Sequence, residues 1–180
     1  MKKKAIFLLF LSTVLACKND KPKNSSLFSE DPSIFDLRFS NYKEIPQLEE
    51  YSKISDTTFF DKQINKEFRI TEIKNDTSHL ILFNELFYDN KDNEVYTILD
   101  TLALDNMQEG EFISIGYCDY QKLEMPQIVA KFRMMENDSL SEIKKAWLAD
   151  PVKKAFKRIY ELDSIGCEFQ IIKEQYLKLP

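Results

Sequence analysis

The sequence predicts a mainly β protein: a single domain of antiparallel strands, forming a meander sheet or a barrel-like fold, with minor helix and an N-terminal signal peptide. Three observations predict this fold class. Short runs rich in β-branched and aromatic residues alternate with polar turns, and two of these runs have a period of two. Fourteen Phe and eight Tyr supply a core, while only three Gly exclude glycine-rich phosphate-binding loops.

Five runs are predicted strands: Glu67–Ile73, His79–Tyr88, Val95–Leu104, Phe112–Tyr120 and Gln127–Met134. The polar stretches 74–78 and 89–93 between the first three runs are typical of hairpin loops. Alternate positions in the last two runs are apolar: Ile113, Ile115, Tyr117, Ile128, Ala130, Phe132 and Met134. Such a period of two predicts that each strand turns one face toward a core.

The stretch from Ser139 to Tyr160 has two interpretations. Its later half places apolar residues at helical spacing: Val152, Ala155, Phe156, Ile159 and Tyr160. Pro151 follows Asp150 at a good first helical position, so the local periodicity favours a helix. The alternative is a hairpin in which Glu142–Ala149 pairs with Lys154–Tyr160 across Asp150 and Pro151.

The N-terminus has the three parts of an export signal: a cationic start at Lys2–Lys4, an apolar run at Ala5–Leu15, and the small Ala16 before Cys17. The apolar run is well short of the roughly twenty residues that span a bilayer. Residues 14–17 read Val-Leu-Ala-Cys and resemble the lipobox of bacterial lipoproteins. This resemblance implies cleavage before Cys17 and acylation of its sulfur, which tethers the protein to a membrane. The alternative is an ordinary secretory signal that ends near a cysteine.

The chain divides into three parts on this interpretation. Residues 1–16 are the signal peptide, residues 17–33 are the lipidated cysteine and a flexible polar tether, and residues 34–180 are the β-rich domain. In lipoproteins an Asp directly after the cysteine commonly signals inner-membrane retention. This chain has Lys18 there, which favours the outer membrane and leaves its periplasmic or surface face open.

Charge favours some classes of partner over others. Removing the signal takes away three lysines and no acidic residue, so the formal net charge changes from −5 to −8. An acidic domain disfavours nucleic acid and anionic lipid as partners. Basic proteins or cations are better electrostatic matches.

Five short segments together resemble a family of small bacterial envelope proteins with no known activity. They are Ser114–Cys118, Gln127–Ala130, Ile143–Trp147, Phe156–Ile159 and Ile165–Cys167. In that pattern a cysteine ends one strand, an apolar strand and an Ala-Trp strand follow, and a second cysteine comes last. The resemblance covers about residues 95–170, implies the hairpin interpretation of residues 139–160, and offers no catalytic residue.

Cysteine usage predicts a disulfide. With Cys17 lipidated, Cys118 and Cys167 remain as an even pair in an oxidising compartment. A redox or metal-binding pair is disfavoured, because there is no Cys-x-x-Cys spacing and no histidine nearby. We therefore expect a structural disulfide.

No catalytic residue, metal site or cofactor is predicted. His79 is the single histidine and opens an apolar run, so it is expected to be an ordinary strand residue. Residues 89–94 are rich in carboxylates but lack EF-hand spacing, which favours a solvated turn. Trp147 is expected in the core.

Four Asp-Ser or Asp-Thr steps that are followed by an aliphatic residue or Thr resemble the O-glycosylation acceptor of some Gram-negative envelopes, with acceptors at Thr57, Thr101, Ser139 and Ser164. The alternative is that these are common turn dipeptides.

Three classes of function are therefore open. The first is a non-enzymatic envelope lipoprotein that binds another protein, as an accessory or immunity-type protein. The second is a barrel-like carrier of a small ligand in an apolar cavity. The third and least favoured is a hydrolytic enzyme, because no nucleophile, metal-ligand or carboxylate constellation is present.

Overall fold

The computed structural model describes residues 34–105, 107–134 and 141–168. Over these ranges the chain is mainly β, as predicted, with three short 3-10 turns and no α-helix. The 3-10 turns are Tyr42–Glu44, Pro46–Leu48 and Leu162–Ser164. No helix in the described ranges is long and apolar enough to cross a membrane.

In the described part of the chain, twelve strands form three antiparallel sheets. The strands are β1 Arg38–Phe39, β2 Ser52–Asp61, β3 Lys66–Lys74, β4 Ser78–Tyr88, β5 Glu94–Asp105, β6 Glu111–Ile115, β7 Cys118–Tyr120, β8 Leu123–Glu124, β9 Ile128–Met134, β10 Ser141–Asp150, β11 Ala155–Ile159 and β12 Ile165–Cys167. Sheet A has the order β1-β5-β4-β3-β2, sheet B the order β11-β10-β9-β6, and sheet C the order β12-β7-β8.

Sheet A contains the predicted meander, and side-chain hydrogen bonds fix its turns. Asn75 Oδ1 accepts from the backbone N–H groups of Thr77 and Ser78 at 3.1 and 2.9 Å, which closes the β3–β4 loop. Asp89 Oδ1 accepts from the N–H groups of Lys91 and Asn93 at 2.7 and 2.9 Å in the next loop. β3 pairs with β4, and β4 with β5, across these two loops, so both predicted hairpins are confirmed. Asn and Asp side chains commonly stabilise turns of this kind.

Sheet B shows that the helical interpretation of residues 152–160 is wrong. β10 and β11 form the alternative hairpin, in which Asp150 pairs with Ala155 and Trp147 with Arg158. Asp150 Oδ1 accepts from the N–H groups of Val152 and Lys153 at 3.0 and 2.9 Å, so Pro151 opens a turn. β11 carries apolar residues on both of its faces, so some of them are adjacent in sequence, as Ala155 and Phe156 are. Their spacing therefore resembles that of one face of a helix.

The predicted strand at 112–120 is two strands. Gly116 has φ of +80°, a conformation that favours glycine, and it separates β6 from β7. A Cβ at this position would lie 2.7 Å from the Cβ of Thr57, so the backbone of Gly116 packs directly against β2. The chain thus leaves sheet B at Gly116 and enters sheet C at Cys118.

Among the residues that the structure describes, the sheets divide the core into three clusters. The middle cluster lies between sheets A and B and is rich in phenylalanine rings, including Phe59, Phe68 and Phe83. The second lies on the outer face of sheet A and is covered by residues 34–51, which we call the covering segment. The third lies between sheets B and C. At one margin Asp100 Oδ2 of β5 accepts from the N–H of Phe156 in β11 at 2.6 Å, which ties sheet A to sheet B.

Candidate functional site

An open, mostly apolar cleft of about 360 Å³ lies beside β11, and we call it the β11 cleft. Its lining residues are Tyr120, Met125, Ile128, Leu148, Lys157, Arg158, Ile159, Tyr160 and Glu161. Tyr160 is 85% exposed, the highest value among the exposed large apolar side chains of the described ranges. An exposed aromatic side chain at an apolar cleft is typical of a binding surface.

The β11 cleft lies where sheet B meets sheet C, since its lining includes residues of β9, β10 and β11 and Tyr120 of β7. The strands of sheet C, which pack over the third cluster, are only two or three residues long. Tyr120 donates to Glu161 Oε2 at 3.2 Å and forms one wall. The cleft is therefore built into the fold.

Two cations, Lys157 and Arg158, and one carboxylate, Glu161, line the β11 cleft. The guanidinium of Arg158 stacks on the ring of Trp147 at 4.6 Å from its centroid, which holds that cation in place. Lys153 and Lys154 are exposed on the same β10–β11 hairpin as Lys157. The hairpin beside the cleft is thus rich in cations.

A second pocket, of about 280 Å³, opens on the outer face of sheet A, and we call it the Arg69 pocket. Arg69 donates from Nη1 and Nη2 to the two carboxylate oxygens of Glu94 at 2.8 and 2.7 Å. Its Nε donates to Thr58 Oγ1 at 3.0 Å, and its guanidinium lies 5.1 Å from the ring centroid of Tyr96. The Tyr96 hydroxyl also contacts both Arg69 and Glu94. The guanidinium is therefore held on several sides.

This network shifts the pKa values of its members. The hydrogen bond from Arg69, followed by that from Tyr96, lowers the pKa of Glu94. Burial acts to lower the pKa of Arg69, but its hydrogen bond to Glu94 and the neighbouring negative charges outweigh burial and raise that pKa. Burial and the hydrogen bond to Glu94 raise the pKa of Tyr96. Arg69 and Glu94 therefore stay charged near neutral pH, and Tyr96 stays neutral.

His79 lies in β4, and it has a buried partner that sequence reasoning missed. Its Nδ1 is 2.8 Å from Oε1 of Glu72, which is fully buried. Ser55 donates to the other oxygen of Glu72 at 3.1 Å. Because the Ser55 hydroxyl contacts the carboxylate rather than the imidazole, this is not the serine–histidine arrangement of a nucleophile. His79 instead provides a polar partner for a buried acid.

Cys118 and Cys167 form the predicted disulfide. They are directly opposite each other on β7 and β12, with their Cα atoms 4.0 Å apart. Cys118 is buried and Cys167 is partly buried, at the edge of the third cluster. The bond joins the last described strand to the strand that follows Gly116.

The remaining predicted sites are placed as follows. Thr57 lies in β2, Thr101 in β5 and Ser164 at the end of a 3-10 turn, all three half-buried, while Cys17 and Ser139 lie outside the described residues. Glycosylation at these positions stays a prediction.

The acidic stretch 89–94 forms the predicted turn. Hydrogen bonds from Asn93 and Lys91 lower the pKa of Asp89. In the described ranges no group of three His, Cys, Asp or Glu side chains is placed to hold a metal ion. Trp147 is half-buried and packs against the middle cluster.

Comparison with protein-family models, with curated proteins and with solved structures gave no match.

Proposed function

We propose that this protein is a lipid-anchored lipoprotein of the bacterial cell envelope, held in the outer membrane through Cys17, that binds another protein and has no catalytic activity. The anchor is supported by the cationic start, the short apolar run and the small Ala16 before Cys17. Acyl chains on that cysteine give lasting attachment to a membrane.

The observation that carries the binding role is the β11 cleft with its exposed Tyr160. Large apolar side chains left in water next to an apolar depression favour contact with a partner. By contrast, phenylalanine rings fill the space between sheets A and B, and this disfavours a carrier with an apolar cavity at that place.

The charges around the cleft indicate the chemistry of the partner. The net charge of the mature chain favours basic partners in general, but Lys157 and Arg158 line the β11 cleft beside one carboxylate, Glu161. Lys153 and Lys154 are exposed on the same β10–β11 hairpin. A partner segment with apolar side chains for the cleft and acidic residues at its flanks fits this surface best. We therefore propose such a segment as the ligand of the cleft.

Replacing Cys17 tests the anchor. In a bacterial host that processes lipoproteins, the wild-type protein is expected in the outer-membrane fraction, with an intact mass that includes acyl chains. Cys17→Ser is expected to lose those chains and to leave that fraction. An unchanged mass and location in Cys17→Ser would refute the anchor.

Site-directed photo-crosslinking tests the binding surface. A photoreactive p-benzoylphenylalanine at position 160 is expected to give one discrete protein adduct in intact cells, and the same group at position 88 is expected to give none. Tyr88 is a matched control because it is also an exposed tyrosine, in β4 of sheet A. Adding Lys157→Glu should weaken the adduct at position 160. Equal adducts at both positions, or none at position 160, would count against the cleft.

A further inference from the structure

The Arg69 pocket contains a buried side-chain amide with an unpaired oxygen. Asn84 is 2% exposed and lines this pocket. Its Nδ2 donates to the carbonyl oxygen of Arg69 at 3.4 Å, while its Oδ1 has no hydrogen-bond partner among the described residues. A buried acceptor left unpaired destabilises a fold, so its presence calls for an explanation.

The sequence position makes the amide more unusual. Asn84 shares its strand face with Leu82 and Leu86, which are both buried in the second cluster. A leucine at position 84 would continue that apolar face without an unpaired polar atom. The ladder between β4 and β5 also shifts register between Phe83 and Asn84, which places Asn84 opposite Ile98. The fold thus holds Asn84 at an irregular point of the β4–β5 ladder, between two leucines of its own strand and opposite Arg69 of β3.

The charges of the pocket are already paired with one another. Lys53 Nζ lies 2.9 Å from Asp56 Oδ1, and Arg69 binds both oxygens of Glu94. Two cations therefore face two carboxylates, and no net charge is left for an ionic ligand. The pocket is suited to a neutral molecule that exchanges hydrogen bonds.

The size of the pocket and the rotational freedom of the Asn84 amide further restrict the class of ligand. The volume of about 280 Å³ is roughly nine times the share of one water in the liquid, so a single bridging water would not fill it. The Oδ1 atom is buried, but the hydrogen bond that holds Asn84 is long, at 3.4 Å, and the last torsion of an Asn side chain is soft, so a rotation about that torsion turns Oδ1 toward the pocket. Phe39 and Tyr42 of the covering segment supply aromatic surface at the wall.

We propose that the Arg69 pocket binds a neutral sugar ring. The hydroxyl groups of such a ring can donate the hydrogen bond that Asn84 Oδ1 lacks and exchange further hydrogen bonds with the polar side chains of the pocket. The apolar C–H face of a ring packs on aromatic side chains such as those at the wall. This site lies on sheet A and is independent of the protein-binding role of the β11 cleft.

Saturation-transfer NMR on the full-length protein tests the proposal, in a detergent without a sugar headgroup. The probes are glucose and N-acetylglucosamine, with inorganic phosphate as a charged comparison. At least one sugar is expected to receive saturation from the protein, and phosphate is expected neither to bind nor to compete. Asn84→Leu is expected to weaken sugar binding about tenfold, since it removes the hydrogen-bonding partner. Asn84→Ala gives the same test if the leucine variant does not fold.

The control variant is Asn90→Ala, which alters an exposed asparagine in the β4–β5 turn and should bind the sugar as the wild type does. No saturation of either sugar at millimolar concentration would overturn the proposal and leave water as the occupant. Unchanged binding in both Asn84 variants, or binding of phosphate in place of sugar, would also overturn it.

Discussion

Removal of the Cys118–Cys167 disulfide is expected to destabilise the domain by about 4 kcal/mol. The two cysteines are 49 residues apart, and opening a loop of this length returns conformational entropy to the unfolded chain worth about 4 kcal/mol at 25 °C. The perturbation is the double variant Cys118→Ala with Cys167→Ala, because a single replacement would leave a reactive thiol.

The folded state contributes a smaller loss. Cys118 Sγ lies 3.3 Å from the hydroxyl of Ser114, which is buried, so the double variant leaves Ser114 with one contact fewer. That loss is about 1 kcal/mol at most. For a domain of this size each kcal/mol corresponds to about 2–4 °C, so the melting temperature is expected to fall by about 8–16 °C.

The assay is thermal and urea unfolding followed by circular dichroism. Wild-type protein with reductant should match the double variant, and Cys17→Ser, which keeps both cysteines of the pair, should match the oxidised wild type. The free energy of unfolding should also fall more steeply with urea concentration in the double variant, because its unfolded chain is more expanded. A fall of less than about 3 °C would refute the loop-entropy reasoning for this pair.

Three further predictions concern the core, a buried acid, and the close contact between the backbone of Gly116 and the side chain of Thr57. Phe83→Ala should cost about 3–5 kcal/mol in urea unfolding, because Phe83 is fully buried in the middle cluster, whereas Phe60→Ala at a 54% exposed position should stay within about 0.5 kcal/mol. Burial raises the pKa of Asp100 above 3.8, so the folded protein holds a proton on Asp100 more tightly than the unfolded chain does. The wild type should therefore lose melting temperature relative to Asp100→Asn as pH rises through the raised pKa. A difference in melting temperature that does not vary with pH would contradict this. Gly116→Ala should destabilise by about 1 kcal/mol or more, because of its positive φ and the contact with Thr57, and strictly additive melting shifts for Gly116→Ala and Thr57→Ala would show that the contact is not responsible.

Some parts of the fold could be predicted because their signals are local. Alternating apolar residues and the Asn and Asp side chains at the loops indicated β3, β4 and β5 with nearly correct bounds. The disulfide followed from counting cysteines, since assigning Cys17 to lipid leaves a single pair.

Other parts depend on packing that is distant in sequence. β2 was missed because Phe59 is its one buried side chain, and the strand therefore shows no apolar period. Arg69 and Glu94 are 25 residues apart on strands that are separated by β4, so their contact depends on the register of two hairpins. The unpaired oxygen of Asn84 depends on that register as well. The Arg69 pocket could therefore not be predicted from local pattern.

The covering segment should resist a pulling force less than the long ladders of sheet A do. It is attached to sheet A by side-chain packing and by β1, which pairs with β5 over two residues only. A pull on the chain ahead of Ile34 therefore meets this attachment before it reaches the long ladders of sheet A. Such a pull would peel the segment away and bare Leu82 and Ile98, while the phenylalanine layer between sheets A and B stays closed. A force that reaches the domain from its N-terminal side is thus met first by the covering segment, which also carries Phe39 and Tyr42 of the Arg69 pocket.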